Sequence, residues 1–181
     1  EIDERAAEEL DLCCIGGFAV SLHYGLDRPT GDIDVVAVTP SYLKQWLIEI
    51  AGEASLLHKK HKIYLQIVTV ADLPHSYDER LRLVFTGQFK RLRLFIPDPI
   101  DLVLSKLARN NDVDFEDAKF LARSTAFDLD LLERRYLEEL KPYIIGPVEW
   151  HDQTLRLWME AMREERDKPP HAVEPRRRVR K

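Results

Sequence analysis

The sequence contains no apolar run approaching the ~20 residues a helix needs to cross a bilayer, and no segment that reads as a signal peptide. A membrane protein is therefore not expected, and a cytoplasmic one is. Cysteine is almost absent: only Cys13 and Cys14 occur, side by side. Neighbours on a strand point to opposite faces, so both are expected as small core residues in a reducing compartment rather than as a disulfide. A basic excess is lacking too. The formal net charge is −5, without the basic stripe of a protein that grips a duplex or a long RNA. Positive charge gathers at the end, where Arg176, Arg177, Arg178, Arg180 and Lys181 follow three prolines. Residues 167–181 accordingly read as a disordered basic tail. No internal repeat or low-complexity segment precedes it.

What is present is ordinary in bulk and specific in one place. The chain has 181 residues, 45% of them apolar and 33% charged, enough for one well-buried domain with a helical appendage. The informative stretch is Cys13–Val38, CCIGGFAVSLHYGLDRPTGDIDVVAV. It reads as a short strand (Cys13–Ile15), a Gly16-Gly17 turn, a helix (Phe18–Tyr24), a loop and a second strand (Ile33–Val38). Asp32 and Asp34 stand at the mouth of that strand. Side chains two apart on a strand share a face, so the two carboxylates converge. Such a pair suits Mg²⁺, which takes one or two carboxylates plus substrate phosphates. Backbone N–H groups at Gly16 and Gly17 can approach phosphates with no Cβ in the way.

This arrangement, with Gly16, Gly17, Arg28, Thr30, Asp32 and Asp34, resembles the signature of the nucleotidyltransferase superfamily, the polymerase-β-like fold. The fuller form Arg-x-Thr-x-Asp-x-Asp is similar to the branch holding AbiE-type and MenT-type toxin nucleotidyltransferases and their uncharacterised relatives. The resemblance implies an α/β (α+β) fold: a nucleotidyltransferase core with a small mixed sheet flanked by helices (residues 1–97), then a helical subdomain (98–166).

Along the rest of the chain, Ile2–Leu12 reads as an amphipathic helix and Ser41–Glu53 as a second, with Leu43, Trp46, Leu47 and Ile50 at helical spacing. Leu56–Lys62 reads as a solvated basic loop, its His58 and His61 lacking a nearby carboxylate or thiol for a metal site. Ile63–Val70 is rich in β-branched residues and predicts a strand. In the resembling family that strand carries the third metal-site carboxylate, within an apolar-acidic-apolar triplet. Here the triplet is Leu65-Gln66-Ile67, and an amide cannot ionise or take a proton from an attacking hydroxyl. Strands at Leu83–Thr86 and Lys90–Ile96 follow, the second alternating as a half-buried edge strand does.

Four helices are expected beyond Pro97: Ile100–Asn110, Phe115–Ser124, Asp130–Leu140 and Glu149–Glu165. Asp114 is placed to cap the second. The run containing Lys106, Arg109, Asp114 and Asp117 resembles the second hallmark of the same branch. By chemistry, a Lys106 head turned to the cleft would neutralise nucleotide phosphates.

The function so implied is Mg²⁺- or Mn²⁺-dependent transfer of a nucleoside monophosphate from an NTP to an acceptor hydroxyl. Asp32 and Asp34 would hold the metal, Gly16, Gly17, Arg28, Thr30 and Lys106 the nucleotide, and Asp117 would serve as general base in place of Gln66. By resemblance the acceptor is tRNA or another macromolecule, with a cognate antitoxin as partner; a small-molecule acceptor stays open. Gln66 keeps a second reading open, a catalytically degenerate nucleotide-binding or interaction module of the same fold.

Overall fold

The computed structural model describes residues 1–168; the basic stretch from 169 onward lies outside the described residues. Five strands form one mixed sheet in the order β3-β2-β1-β5-β4. They are β1 (Leu10–Ile15), β2 (Asp32–Thr39), β3 (Tyr64–Ile67), β4 (Arg82–Val84) and β5 (Leu92–Ile96). β1 runs antiparallel to β2 and parallel to β5, β2 runs parallel to β3, and β4 closes antiparallel on β5. The expectation for β5 is corrected here: it lies between β1 and β4, and the edges are β3 and β4. Its alternation arises because Leu94 and Ile96 enter the core while Arg93 pairs with Asp11 on β1.

The N-terminal expectation also fails. The helix covers only Ile2–Arg5 (α1), and Leu10–Leu12 belong to β1. Asp3 explains the early stop. Its carboxylate accepts from the backbone N–H groups of Lys90, Arg91 and Leu92 at 2.8–3.1 Å, which anchors α1 to the start of β5. Leu10 and Leu12 are then buried along the sheet.

After β1 comes α2 (Gly16–Phe18), which widens into a π-helical turn at Ala19–His23. The helix expected from residue 41 is a 3₁₀ turn (Ser41–Leu43) leading into α3 (Lys44–Ala51). The stretch read as a basic loop is helical instead, α4 (Leu56–His61). Its signal was local: Ser55 is the N-cap, its Oγ accepting from the His58 N–H at 3.1 Å, and Leu57 is buried below. β3 is shorter than its β-branched run suggests. Its last ladder bond, Val68 N–H to Val35 C=O, is followed by an extended loop to a 3₁₀ turn at Tyr77–Arg80.

The second half is helical: α5 (Pro99–Leu107), α6 (Asp112–Thr125), α7 (Leu129–Arg135) with a π turn at Tyr136–Leu140, and α8 (Val148–Asp167). α5 is started by the Asp98 carboxylate, which accepts from the Asp101 N–H at 2.9 Å, with Pro99 in the first turn. All nine of its residues are buried. Leu102, Leu104 and Leu107 each contribute on the order of 2 kcal/mol of apolar transfer to a core shared with α6, α7 and α8. The cap of α6 is Asn111, not Asp114: Asn111 Oδ1 accepts from the Asp114 N–H at 2.8 Å. That leaves the Asp114 side chain free to turn inward.

Cys13 and Cys14 are free and buried; burial pushes the Cys13 thiol up to about 12. Among the described residues no helix is long and apolar enough to cross a membrane.

Candidate functional site

The site is assembled where β1 ends, β2 begins and the α5–α6 corner arrives. Asp34 pairs with Ile15 on one side and with Gln66 of β3 on the other. Paired residues of adjacent strands share a face, as do residues two apart on one strand. Asp32, Asp34 and Gln66 therefore lie on one face of the sheet, with Val35 buried on the other. Gln66 is exposed and occupies the position beside Asp34 where a third carboxylate would complete the set.

Gly16 sits directly against this pair. Its φ of +70° is a left-handed conformation that favours glycine, and a Cβ there would overlap Asp34 Oδ2 and lie 3.1 Å from Asp34 Cγ. The Asp34 carboxylate thus fills the space a side chain would have taken. Gly17 is pressed from the loop before β2: a Cβ would meet Thr30 Oγ1 at 3.3 Å and Arg28 Nη2 at 3.4 Å. Thr30 Oγ1 donates to Asp32 Oδ1 at 3.0 Å, which fixes the rotamer of the first carboxylate. Ser21 Oγ donates to the Arg28 carbonyl at 2.9 Å and secures the loop from beneath.

From Arg28 the network crosses to the helices. Arg28 Nη2 donates to both oxygens of Asp117, at 2.9 and 2.7 Å. Lys106 Nζ donates to Asp117 Oδ2 at 2.8 Å and to Asp114 Oδ1 at 3.1 Å. Arg109 Nη2 donates to Asp114 Oδ1 at 2.7 Å. Three cations thus face two carboxylates, leaving one positive charge over on the side of Asp34. Burial pushes the Asp34 carboxyl above its ordinary value, the neighbouring charge of Asp32 adds to the rise, and Arg109 and Lys106 oppose it.

Every sequence-predicted site residue is brought into this one network or lies beside it, but two of them are not placed as expected. Lys106 is only 1% exposed, and its ammonium is held between Asp114 and Asp117; it does not present its head to the cleft. Asp117, also 1% exposed, has both oxygens occupied by Arg28 and Lys106. A carboxylate so engaged is a brace rather than a free proton acceptor. Arg109, named in the Lys106–Asp117 run but given no role there, has a side chain 53% exposed that pairs with Asp114 and opposes the rise of the Asp34 carboxyl. The signal available was its spacing three residues after Lys106, which puts the two heads on adjacent parts of one helical turn.

The donor set fits a hard divalent cation held with help from a substrate. Asp32 and Asp34 converge, and their mutual repulsion is what a cation relieves. Among the described residues no group of three or more His, Cys, Asp or Glu side chains is arranged to hold a metal ion, in keeping with an amide at position 66.

A family model described as a nucleotidyltransferase of unknown function (DUF6036) matches residues 1–166. No curated protein and no solved structure matches the chain.

Proposed function

Since the chain belongs to this DUF6036 family of nucleotidyltransferases, we propose that it transfers a nucleoside monophosphate from an NTP to an acceptor hydroxyl. The observation that carries the reading is that Asp32 and Asp34 share one face of β2, with the Asp34 carboxylate seated directly against Gly16. Asp32 and Asp34 would hold Mg²⁺ or Mn²⁺, which when bound supplies charge neutralisation on the phosphates. The Gly16 and Gly17 backbone approaches the phosphate chain, and Arg109 adds a half-exposed guanidinium with donors to spare for phosphate oxygens. Thr30 holds the Asp32 rotamer. Arg28, Asp117, Lys106 and Asp114 form the brace that fixes the loop of residues 24–31 to the helical half, so the nucleotide meets a preformed surface.

In the reaction the acceptor oxygen bonds to the α-phosphorus, the bond to pyrophosphate breaks, and the hydroxyl proton leaves. Gln66 cannot take that proton and Asp117 is committed to two cations, so it passes to solvent. The acceptor is proposed to be tRNA or another macromolecule, with an antitoxin as partner. Support for that part is the likeness of Arg28-x-Thr30-x-Asp32-x-Asp34 and of Lys106–Asp117 to the toxin branch.

One observation favours a second reading: Gln66 faces Asp34, so two carboxylates stand where three would suit catalysis, as in a degenerate module that binds nucleotide without turnover. Incubation with each labelled NTP, Mg²⁺ or Mn²⁺ and total RNA separates the two. Label transfer that is lost in Asp32→Ala/Asp34→Ala supports the enzyme. Metal-dependent NTP binding without transfer supports the module, and neither transfer nor binding sinks both.

A further inference from the structure

A cleft of about 490 Å³ is lined in part by the Arg28–Asp117 pair. Its walls are Leu26 from the loop before β2 and Val113 and Phe120 from α6. Val113, in the first turn of α6, is about half exposed at 48%. The cations of the cleft are each paired with a carboxylate, Arg28 Nη2 with Asp117, Lys119 with Glu116 at 2.7 Å and Arg123 with Glu165 at 3.2 Å, while the buried Arg28 Nε has no hydrogen-bond partner among the described residues. Asp112 at the rim leaves the lining with four carboxylates against three cations.

We infer that this cleft holds the nucleobase of the bound NTP, an inference that rests on the reading of the site as a nucleotidyltransferase centre. The chemistry argues for a base and against a phosphate. The cationic surplus of the site lies at Arg109, on the side of Asp34, whereas this cleft has a slight acidic surplus and apolar walls. A flat, neutral heteroaromatic ring with N–H donors on its edge is complementary to both: faces against Phe120, Leu26 and Val113, edge toward carboxylates. Arg28 joins the two regions. Its Nη2 lies against Gly17, where phosphates would run, and the same nitrogen holds Asp117 at the wall of the cleft. Ribose would bridge across this residue.

The test compares Mg²⁺–NTP with Mg²⁺–tripolyphosphate, which carries the phosphates but no base, by calorimetry on the full chain. Phe120→Leu should weaken binding of the best NTP by on the order of tenfold, the scale of one lost aromatic stacking contact, and leave tripolyphosphate affinity unchanged. Val113→Gln, at the exposed mouth and not needed for folding, should show the same selective loss. If both variants bind NTP as the wild type does, or lose NTP and tripolyphosphate in parallel with melting curves unaltered, the cleft is not the base site. In either case, wild-type tripolyphosphate binding that disappears in Asp32→Ala/Asp34→Ala leaves the nucleotidyltransferase reading standing. A wild type that binds neither ligand overturns that reading and this inference with it.

Discussion

Gln66 and Asp34 face each other across the β2–β3 ladder, and under the proposed function the difference between an amide and a carboxylate at that point would separate a slow site from a fast one. An amide oxygen can lie against a cation but brings no charge, and it cannot accept the acceptor's proton. Gln66→Glu is nearly isosteric and stands on an exposed strand position, so the fold should tolerate it. It should tighten Mg²⁺ binding and raise turnover on the order of 100-fold, the lower range for a positioned general base. Titration with Mn²⁺ and single-turnover rates of wild type and variant check this; unchanged metal affinity and rate would show that position 66 stands outside the chemistry. Gly16 makes the complementary point. The lack of a Cβ there is required by Asp34 itself, so the glycine serves the carboxylate before it serves any ligand.

Between elements, the α5–α6 corner depends on a buried ion cluster rather than on apolar contact alone. Lys106, Asp114 and Asp117 are each no more than 2% exposed, and each is costly to bury without its partners. Asp117→Asn removes the charge that balances Arg28 and Lys106. The expected result is a loss of roughly 3–5 kcal/mol in stability, the range for breaking a buried pair, with NTP binding weakened as the loop of residues 24–31 comes free. Urea melts and nucleotide titration measure the two effects. A variant that melts like the wild type but has lost only turnover would restore Asp117 to the role of base. A second cluster binds the 3₁₀ turn before β4 to the helices: Arg80 donates to Asp101 and Glu139, and Arg135 to Asp98 and Asp101.

Across the molecule, several carboxylates are held by cations and N–H groups, some within one helical turn and some across most of the chain, and these make stability depend on pH. The Asp152 carboxyl is held below its ordinary 3.8 by the Lys141 ammonium, with the Tyr136 hydroxyl assisting. Asp3 is lowered by the N–H groups of Arg91, Leu92 and Lys90, and Glu165 by Lys168 and Arg123. Because these folded pKa values lie below the unfolded ones, the unfolded chain binds more protons in the window between them. Their stabilisation is complete above the unfolded values and disappears as pH falls through the folded ones. Asp34 and Asp101, both raised by burial, act in the opposite sense, losing stability as pH rises through their folded values. The melting temperature should therefore fall on acidification from about pH 5 to pH 3. Asp152→Asn should start lower at neutral pH and fall less steeply. A variant whose slope matches the wild type would remove Asp152 from this account.

The sequence alone determined what is local. Gly16-Gly17, Arg28, Thr30, Asp32 and Asp34 lie within one strand–turn–helix–loop–strand unit, and period-two alternation suffices to put the two carboxylates on one face. The apolar spacing of α5, α6 and α8 was legible for the same reason, since it repeats within a few turns. Capping residues were less so: Ser55 and Asn111 were overlooked, and with them α4 and the true start of α6. How distant charges pair was settled by the packing of the elements. Whether Lys106 meets a phosphate or two aspartates depends on the approach of α5 and α6. Whether Asp117 is a base or a brace depends on Arg28, 89 residues away in the chain. Leu10 and Leu12 fit a helical stripe and a strand equally well, until Asp3 and β5 selected the strand. Periodicity is a property of neighbours in sequence, and pairing of buried charges is a property of neighbours in space.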